Sequence, residues 1–321
     1  MRRTVSIVIS LGLLLLLYAA VDVGALIAAI GSADIFWLVT GLLMVVPLTL
    51  ATALRFTALV MEAHVGFAEA NRLVLATSTL NLFLPSKLGD FAKASVLSAR
   101  HGMEGERALS IVVFEKALDM ASLLLWGAFA CLYVGFSRPD VLVFAIPVVV
   151  LLGLSLLVIL PLPAFAWLIR FVARWLPKSI AGKAGRLADS AAGVAVWFWQ
   201  RPARAAGVLL LSVLLWGAHL LQFWLFTKAI GGFVPLLDNM AFATLSILVG
   251  LLPFTFAGIG SRDVAIVYFY GPYLSAAAAA FLGILATLRY VIPAIAGIPF
   301  AGDLAAAAAV QRSKARDGSA Y

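Results

Sequence analysis

Long apolar runs separated by short, mostly basic connections make up this chain. A helix crossing a bilayer needs about 20 apolar residues at about 1.5 Å rise each. Runs of that kind lie at residues 5–30, 35–59, 107–135, 141–161 and 205–229, and a longer one covers 264–310. The longest holds Arg289 and Pro293 and is read as two helices broken near Arg289. The pattern predicts an all-α, polytopic membrane protein of about seven spans.

Two further apolar stretches are interrupted too often for simple spans. Leu73–Leu97 contains Asn81, Pro85, Lys87, Gly89, Asp90 and Lys93, and Ala241–Tyr270 contains Pro253, Gly258, Gly260, Arg262 and Asp263. Proline removes a backbone donor and glycine admits positive φ. Such backbone survives at membrane depth only where protein or water satisfies it. Both stretches are therefore read as re-entrant or broken helix pairs. Each carries Leu-Pro, a spacer, glycine, a base and an aspartate, at Leu84–Asp90 and at Leu252–Asp263. Interrupted segments in corresponding places of two halves point to an inverted repeat around a transporter-type binding site. One domain is expected over 1–310, with halves at about 1–161 and 162–310 and a tail at 311–321.

Composition agrees. The 321 residues are 64% hydrophobic and 12% charged, against about 45–50% and about 25% in soluble domains. The net charge of +8 sits in short loops rather than on a soluble basic module, so nucleic acid is not expected as a partner. The loops at 1–4, 55–72, 87–107 and 162–204 and the tail hold most Lys and Arg; the opposite loops hold Asp34, Arg138, Asp140, Lys228 and Asp238. The positive-inside rule then puts both termini in the cytoplasm. Met1-Arg2-Arg3 and Val5–Val21 are read as an uncleaved first span, because apolar character resumes after Asp22 and Ala19-Ala20-Val21 is a poor cleavage site. In the 162–204 loop, Phe165, Trp167, Phe171, Trp175, Trp197, Phe198 and Trp199 alternate with bases, as in amphipathic helices lying on an anionic leaflet.

Charges inside spans usually mark a pair, a pathway or a site. Glu115 and Asp119 share a helix face at i and i+4, and Lys116 stands three residues before Asp119. Lys87, Asp90 and Lys93 fall on one face of a helix starting after Pro85, beside a helix N-terminus suited to an anion such as phosphate. The same residues also suit mutual neutralisation with Glu115 and Asp119, and spacing does not choose between the two. Gly258 and Gly260 precede Arg262 and Asp263 and suit an anion-binding nest. Arg289 needs a partner, with Asp263 or Asp303 the candidates, and Asn81 is placed to cap broken backbone. His219 with Trp216 reads as a packed interior pair. His64, His101, His219 and Cys131 have no metal-ligand spacing, so neither metal nor cofactor is expected. No P-loop, GxSxG or HExxH motif is present, and no catalytic residue or enzymatic activity is expected.

Together, Asn81, Pro85, Lys87, Gly89, Asp90 and Lys93, then Glu115, Lys116 and Asp119, then Pro253, Gly258, Gly260, Arg262 and Asp263 resemble one family, the flippase-like transmembrane domain of bacterial lysylphosphatidylglycerol synthases. The resemblance covers residues 5–310. It departs at Lys87, Lys93 and Lys116, where arginine is common, and at Asp90 and Asp263, where glutamate is common; lysine lacks arginine's bidentate fork. The resemblance implies re-entrant helices in inverted repeats, a bacterial inner-membrane location and lipid translocation between leaflets. The chain shows no soluble aminoacyl-transferase domain, so it is expected to be a stand-alone member without synthase activity. Substrate-contacting residues are then expected at Asn81, Pro85, Lys87, Asp90, Lys93, Glu115, Lys116, Asp119, Pro253, Gly258, Gly260, Arg262, Asp263 and Arg289. The leading expectation is a flippase for an anionic lipid. A non-transporting lipid-binding or scaffold protein that meets a partner enzyme is the alternative, and an intramembrane lipid-modifying enzyme comes third. An oligomer is compatible with all three.

Overall fold

A computed structural model describes the backbone of residues 2–83, 89–175, 177–252, 255 and 258–317. Among these residues the regular structure is entirely helical. In chain order the helices are α1 (Arg2–Ala20), α2 (Val23–Gly31), α3 (Ile35–Leu43), α4 (Val45–Leu59), α5 (Phe67–Phe83), α6 (Ala92–His101), α7 (Gly105–Gly135), α8 (Ala145–Ile159), α9 (Pro163–Ala173), α10 (Lys178–Trp199), α11 (Pro202–Ala229), α12 (Leu236–Gly250), α13 (Ser261–Tyr270) and α14 (Ala276–Asp317). Five stretches among the described residues are long and apolar enough to cross a membrane singly: Ile35–Leu59, Gly105–Gly135, Pro139–Ile159, Pro202–Ala229 and Ala276–Gly302. The chain is a helical, multi-pass membrane protein.

Two boundaries differ from the sequence expectation. The 5–30 run is not one helix. Asp22 ends α1 and caps α2, accepting from the Gly24 and Ala25 amides at 2.8 and 3.3 Å, because a capping carboxylate satisfies donors that a continuous helix would use internally. The 264–310 run is broken at residues 271–275, not near Arg289; α14 passes through Arg289, Pro293 and Pro299 without interruption. Proline inside a transmembrane helix is tolerated where neighbours meet the disturbed backbone. Pro293 and Pro299 leave the Arg289 and Ile295 carbonyls without their intrahelical donors, and between them α14 packs closely on α5, where the Thr79 hydroxyl donates to the Ala294 carbonyl at 2.6 Å.

Both interrupted stretches do form helix–break–helix pairs. α5 and α6 flank the first break, and α12 and α13 flank the second. Pro85, Lys87 and Pro253 lie outside the described residues. The 162–204 loop forms α9 and α10, with its aromatic residues divided between two surroundings. Trp167, Phe171 and Trp175 are exposed. Phe198 instead packs on Phe114 of α7, and the Trp199 indole donates to the Ile159 carbonyl at 2.9 Å.

The long helix α7 threads two apolar cores. Ala108 to Ala121 pack with α4, α5, α6 and α10, and Leu123 to Val134 pack with α11, α12, α13 and α14. The charged loops sort to opposite ends. At one end Arg107 meets Glu62, Arg186 meets Glu106 and His101 meets Glu69, at 3.0, 3.0 and 3.1 Å. At the other, the Asp34 amide donates to the Ala229 carbonyl at 2.8 Å, Tyr268 donates to Asp140 at 2.8 Å, and Tyr273 donates to Asp238. The described parts of the basic loops at 55–72, 87–107 and 162–204 thus gather at one end of the bundle.

α5 and α14 run antiparallel in close register. Arg72 lies 5.9 Å from the Phe300 ring centroid, Thr79 meets Ala294, and an ideal Cβ on Gly297 would fall 1.9 Å from the Leu75 carbonyl oxygen. Any side chain at 297 must therefore push the two backbones apart. Gly297→Leu is expected to destabilise the fold by about 1–3 kcal/mol, the usual cost of overpacking. Gly153→Leu, where a Cβ meets nothing within 4 Å, is expected to have no effect; thermal unfolding in detergent micelles compares the two.

Candidate functional site

Six ionisable side chains meet in the bundle, drawn from α4, the first break, α6 and α7. Glu115, ten residues into α7, lies about 15 Å along it by rise per residue. Lys93, near the start of α6, donates to both Glu115 oxygens at 2.9 and 3.0 Å and lies 4.7 Å from the Phe56 ring centroid. Arg55 of α4 reaches Asp119 at 2.6 Å and Glu115 at 3.7 Å, and donates to the Ser212 hydroxyl at 3.4 Å. Lys116 bridges Asp90 at 2.7 Å and Asp119 at 3.2 Å. Three cations therefore face three carboxylates. Each charge costs several kcal/mol to desolvate, and only close opposite charges offset that.

The network has a dry end and an open end. Arg55, Lys93 and Glu115 are almost fully buried, whereas Lys116 and Asp119 are 31% and 27% exposed. The predicted Lys116–Asp119 pair is present, and so is the shared face of Glu115 and Asp119. Of the two roles open to Lys93 and Glu115, mutual neutralisation is the one their geometry adopts. Arg55 was not foreseen. It is the only charge in the apolar run from Ile35 to Val60, which was the available signal, but its place near the end of that run gave it the look of a loop base.

The second break builds a separate pair. Gly258 and Gly260 adopt φ of +76° and +95°, values that glycine alone takes without strain. The turn they make presents Arg262 and Asp263 at the start of α13. The Gly260 amide donates to the Asp263 carboxylate at 2.9 Å, so this part of the expected anion nest is filled by the protein's own carboxylate. Arg262 donates to Asp263 at 2.9 Å, to the Thr287 hydroxyl at 2.6 Å and to the Ala286 and Gly283 carbonyls at 3.3 and 3.4 Å.

Arg289 is different. It is 4% exposed, donates to the Tyr290 hydroxyl at 2.5 Å, and lies 4.8 and 4.6 Å from the Phe223 and Tyr290 ring centroids. Among the described residues its Nε and Nη1 have no hydrogen-bond acceptor. Of the two expected partners, Asp263 is taken by Arg262; the Asp303 side chain lies outside the described residues, on backbone fourteen residues on along the same helix, about 21 Å away by rise per residue. No described carboxylate lies within 4 Å of it. The α5–α14 register, which sets 72 near 300 and 79 near 294, places the end of α5 level with Arg289. Arg262 meets α14 within two turns of the same residue, at Gly283 to Thr287. Both breaks therefore converge on the Arg289 level. Along α11, Ser212 touches the ion network and Phe223 touches Arg289, a separation of about 16 Å.

Asn81 caps no described backbone group: its carbonyl oxygen accepts no hydrogen bond and stands against Gly89. The Trp216–His219 pair packs as expected, with ring centroids 5.6 Å apart. No group of three or more potential metal ligands occurs among the described residues.

Removing one partner from the dry end strands a buried charge. Lys93→Met is expected to cost about 3–5 kcal/mol, and Lys93→Met with Glu115→Leu is expected to be more stable than Lys93→Met alone. Unfolding midpoints of the three proteins in one detergent decide this; a neutral single substitution would mean that water already reaches Glu115.

No curated protein matches the chain. The family model described as lysylphosphatidylglycerol synthase TM region matches residues 3–297. Nearly the whole bundle, including both breaks, the six-charge network and Arg289, lies inside that match, and the chain belongs to the lysylphosphatidylglycerol synthase transmembrane-region family.

Proposed function

We propose that the chain is a flippase that moves an anionic, phosphate-bearing lipid between the leaflets of a bacterial inner membrane, without chemical change to the lipid. The observation that carries this reading is Arg289, a buried cation with open donors and no carboxylate partner among the described residues, level with both helix breaks. An uncompensated guanidinium at membrane depth is costly. A headgroup phosphate supplies the missing charge and acceptors, and charge-assisted hydrogen bonds to phosphate are strong.

The other charges take different roles. Arg262 is held by Asp263 and α14 carbonyls, and positions the second break beside Arg289. Lys116 and Asp119, at the open end of the network, exchange partners with a passing headgroup, while Arg55, Lys93 and Glu115 hold α4, α6 and α7 together. The two breaks act as an inverted repeat, one opening to each side. The gathering of basic loops at one end supports cytoplasmic termini. With no ATPase motif in the sequence, movement is passive or ion-coupled.

A second reading has one observation of its own. The exposed Trp167, Phe171 and Trp175 beside Arg170 and Arg174 suit an interfacial anchor or a dock for a partner enzyme of lipid synthesis.

Leaflet exchange of labelled anionic lipid in proteoliposomes separates the two readings. The wild type is expected to accelerate exchange over empty vesicles, Arg289→Gln to slow it by about tenfold or more, the scale of one lost charge-assisted contact, and Arg170→Gln to leave it unchanged. No exchange of phosphatidylglycerol or of a polyprenyl phosphate by well-folded wild type would sink the flippase reading and favour the anchor.

A further inference from the structure

A groove of about 740 Å³ runs between α4 and α11 on the outside of the bundle. Leu54, Ala58, Gly207 and Leu211 line its inner part, and His64 and Arg204 its outer part. From Arg204 to Leu211 the groove follows α11 for about 10 Å, by rise per residue. A Cβ on Gly207 would meet nothing within 4 Å, so the floor there is open. Arg204 is held against one wall. Its guanidinium stacks 4.1 Å from the Trp197 ring centroid, and one nitrogen donates to the Trp197 carbonyl at 3.3 Å. Another lies 3.6 Å from the Met61 sulfur, and Nε has no hydrogen-bond acceptor among the described residues. No described carboxylate lies within 4 Å of Arg204, because the nearby Glu62 is engaged by Arg107 at 3.0 Å.

We infer that this groove is a docking site for one anionic phospholipid, with its phosphate on Arg204 and the start of an acyl chain along Leu54, Ala58, Gly207 and Leu211. The apolar walls select a lipid over a free anion. They belong to two membrane-crossing helices, and a soluble phosphate would leave them uncovered. The headgroup preference follows from charge. Arg201 stands one turn before Arg204, and with Glu62 already paired, the ammonium of a zwitterionic lipid would find arginines and no free carboxylate. Arg204 also lies in the first turn of its span, at the depth where headgroups sit.

The groove backs directly on the ion network. Leu54 precedes Arg55 and Leu211 precedes Ser212, and the Arg55–Ser212 contact at 3.4 Å closes the seam between them. A lipid docked there waits one helix seam away from the buried charges. The assignment does not depend on transport.

The test is native mass spectrometry of the full chain in detergent micelles. It is run in the Arg289→Gln background, so that headgroup binding at Arg289 contributes nothing. Phosphatidylglycerol and phosphatidylcholine with identical acyl chains are added separately. Phosphatidylglycerol is expected to be retained about tenfold more tightly than phosphatidylcholine, and Arg204→Gln to remove that preference. Arg204→Lys, which keeps the charge, is expected to retain most of it. Gly207→Leu, which fills the floor, is expected to weaken both lipids. Unfolding midpoints check that each variant is folded. Equal retention of the two lipids, or a preference that survives Arg204→Gln, would overturn the headgroup assignment. Unchanged binding in Gly207→Leu would remove the lipid from the groove, and a phosphate adduct formed with inorganic phosphate alone and lost in Arg204→Gln would replace the lipid with a free anion.

Discussion

A charge held inside a bilayer must be answered by another charge, and most of the interior of this protein is arranged to meet that demand. Glu115 sets the pattern. Because its carboxylate is fully buried on α7, Lys93 must enter from α6 and Arg55 from α4. Those two residues fix the approach of three helices, and Asp119, Lys116 and Asp90 then complete the balance toward the open end. Apolar packing alone would leave these helices free to slide, since lipid tails are as apolar as leucine. The ion pairs supply the register that packing does not.

The second break follows the same rule with a smaller set. Arg262 and Asp263 are adjacent in sequence and neutralise each other, and the remaining guanidinium donors find carbonyls and the Thr287 hydroxyl on α14. Against this background Arg289 is the exception. Every other deeply buried cation among the described residues has a carboxylate partner; Arg289 has a phenol and two aromatic faces. A protein that balances six charges in one place and two in another leaves this one open at the level where its helices are broken.

The fold was legible to different depths. Glu115, Lys116 and Asp119 stood out because a long apolar helix offers charges nowhere else to go, and their i, i+3 and i, i+4 spacing named the Lys116–Asp119 pair in advance. The two breaks were legible because proline and glycine act on their own backbone, which is a local effect. Arg55 was not, because its role depends on whether the end of α4 is inside or outside the bundle, and that is decided by α7 and α11. The continuity of α14 was hidden for a similar reason. Pro293 reads as a helix breaker, yet α14 runs on through it, packed closely against α5. The Asp263 that seemed available to Arg289 was claimed first by its own neighbour, a competition that spacing along the chain does not reveal.

The balance of three cations against three carboxylates has an electrical consequence. A neutral cluster contributes no net charge for the membrane potential to act on, and neither does the Arg262–Asp263 pair. Among the described buried groups, that leaves Arg289 as the net charge in the field, where about 2.3 kcal/mol attaches to each elementary charge per 100 mV crossed. Under the proposed function, a monoanionic headgroup on Arg289 would cancel it. The vacant site would then feel the voltage and the occupied site would not, so membrane potential would act on the return of the vacant protein rather than on the loaded one.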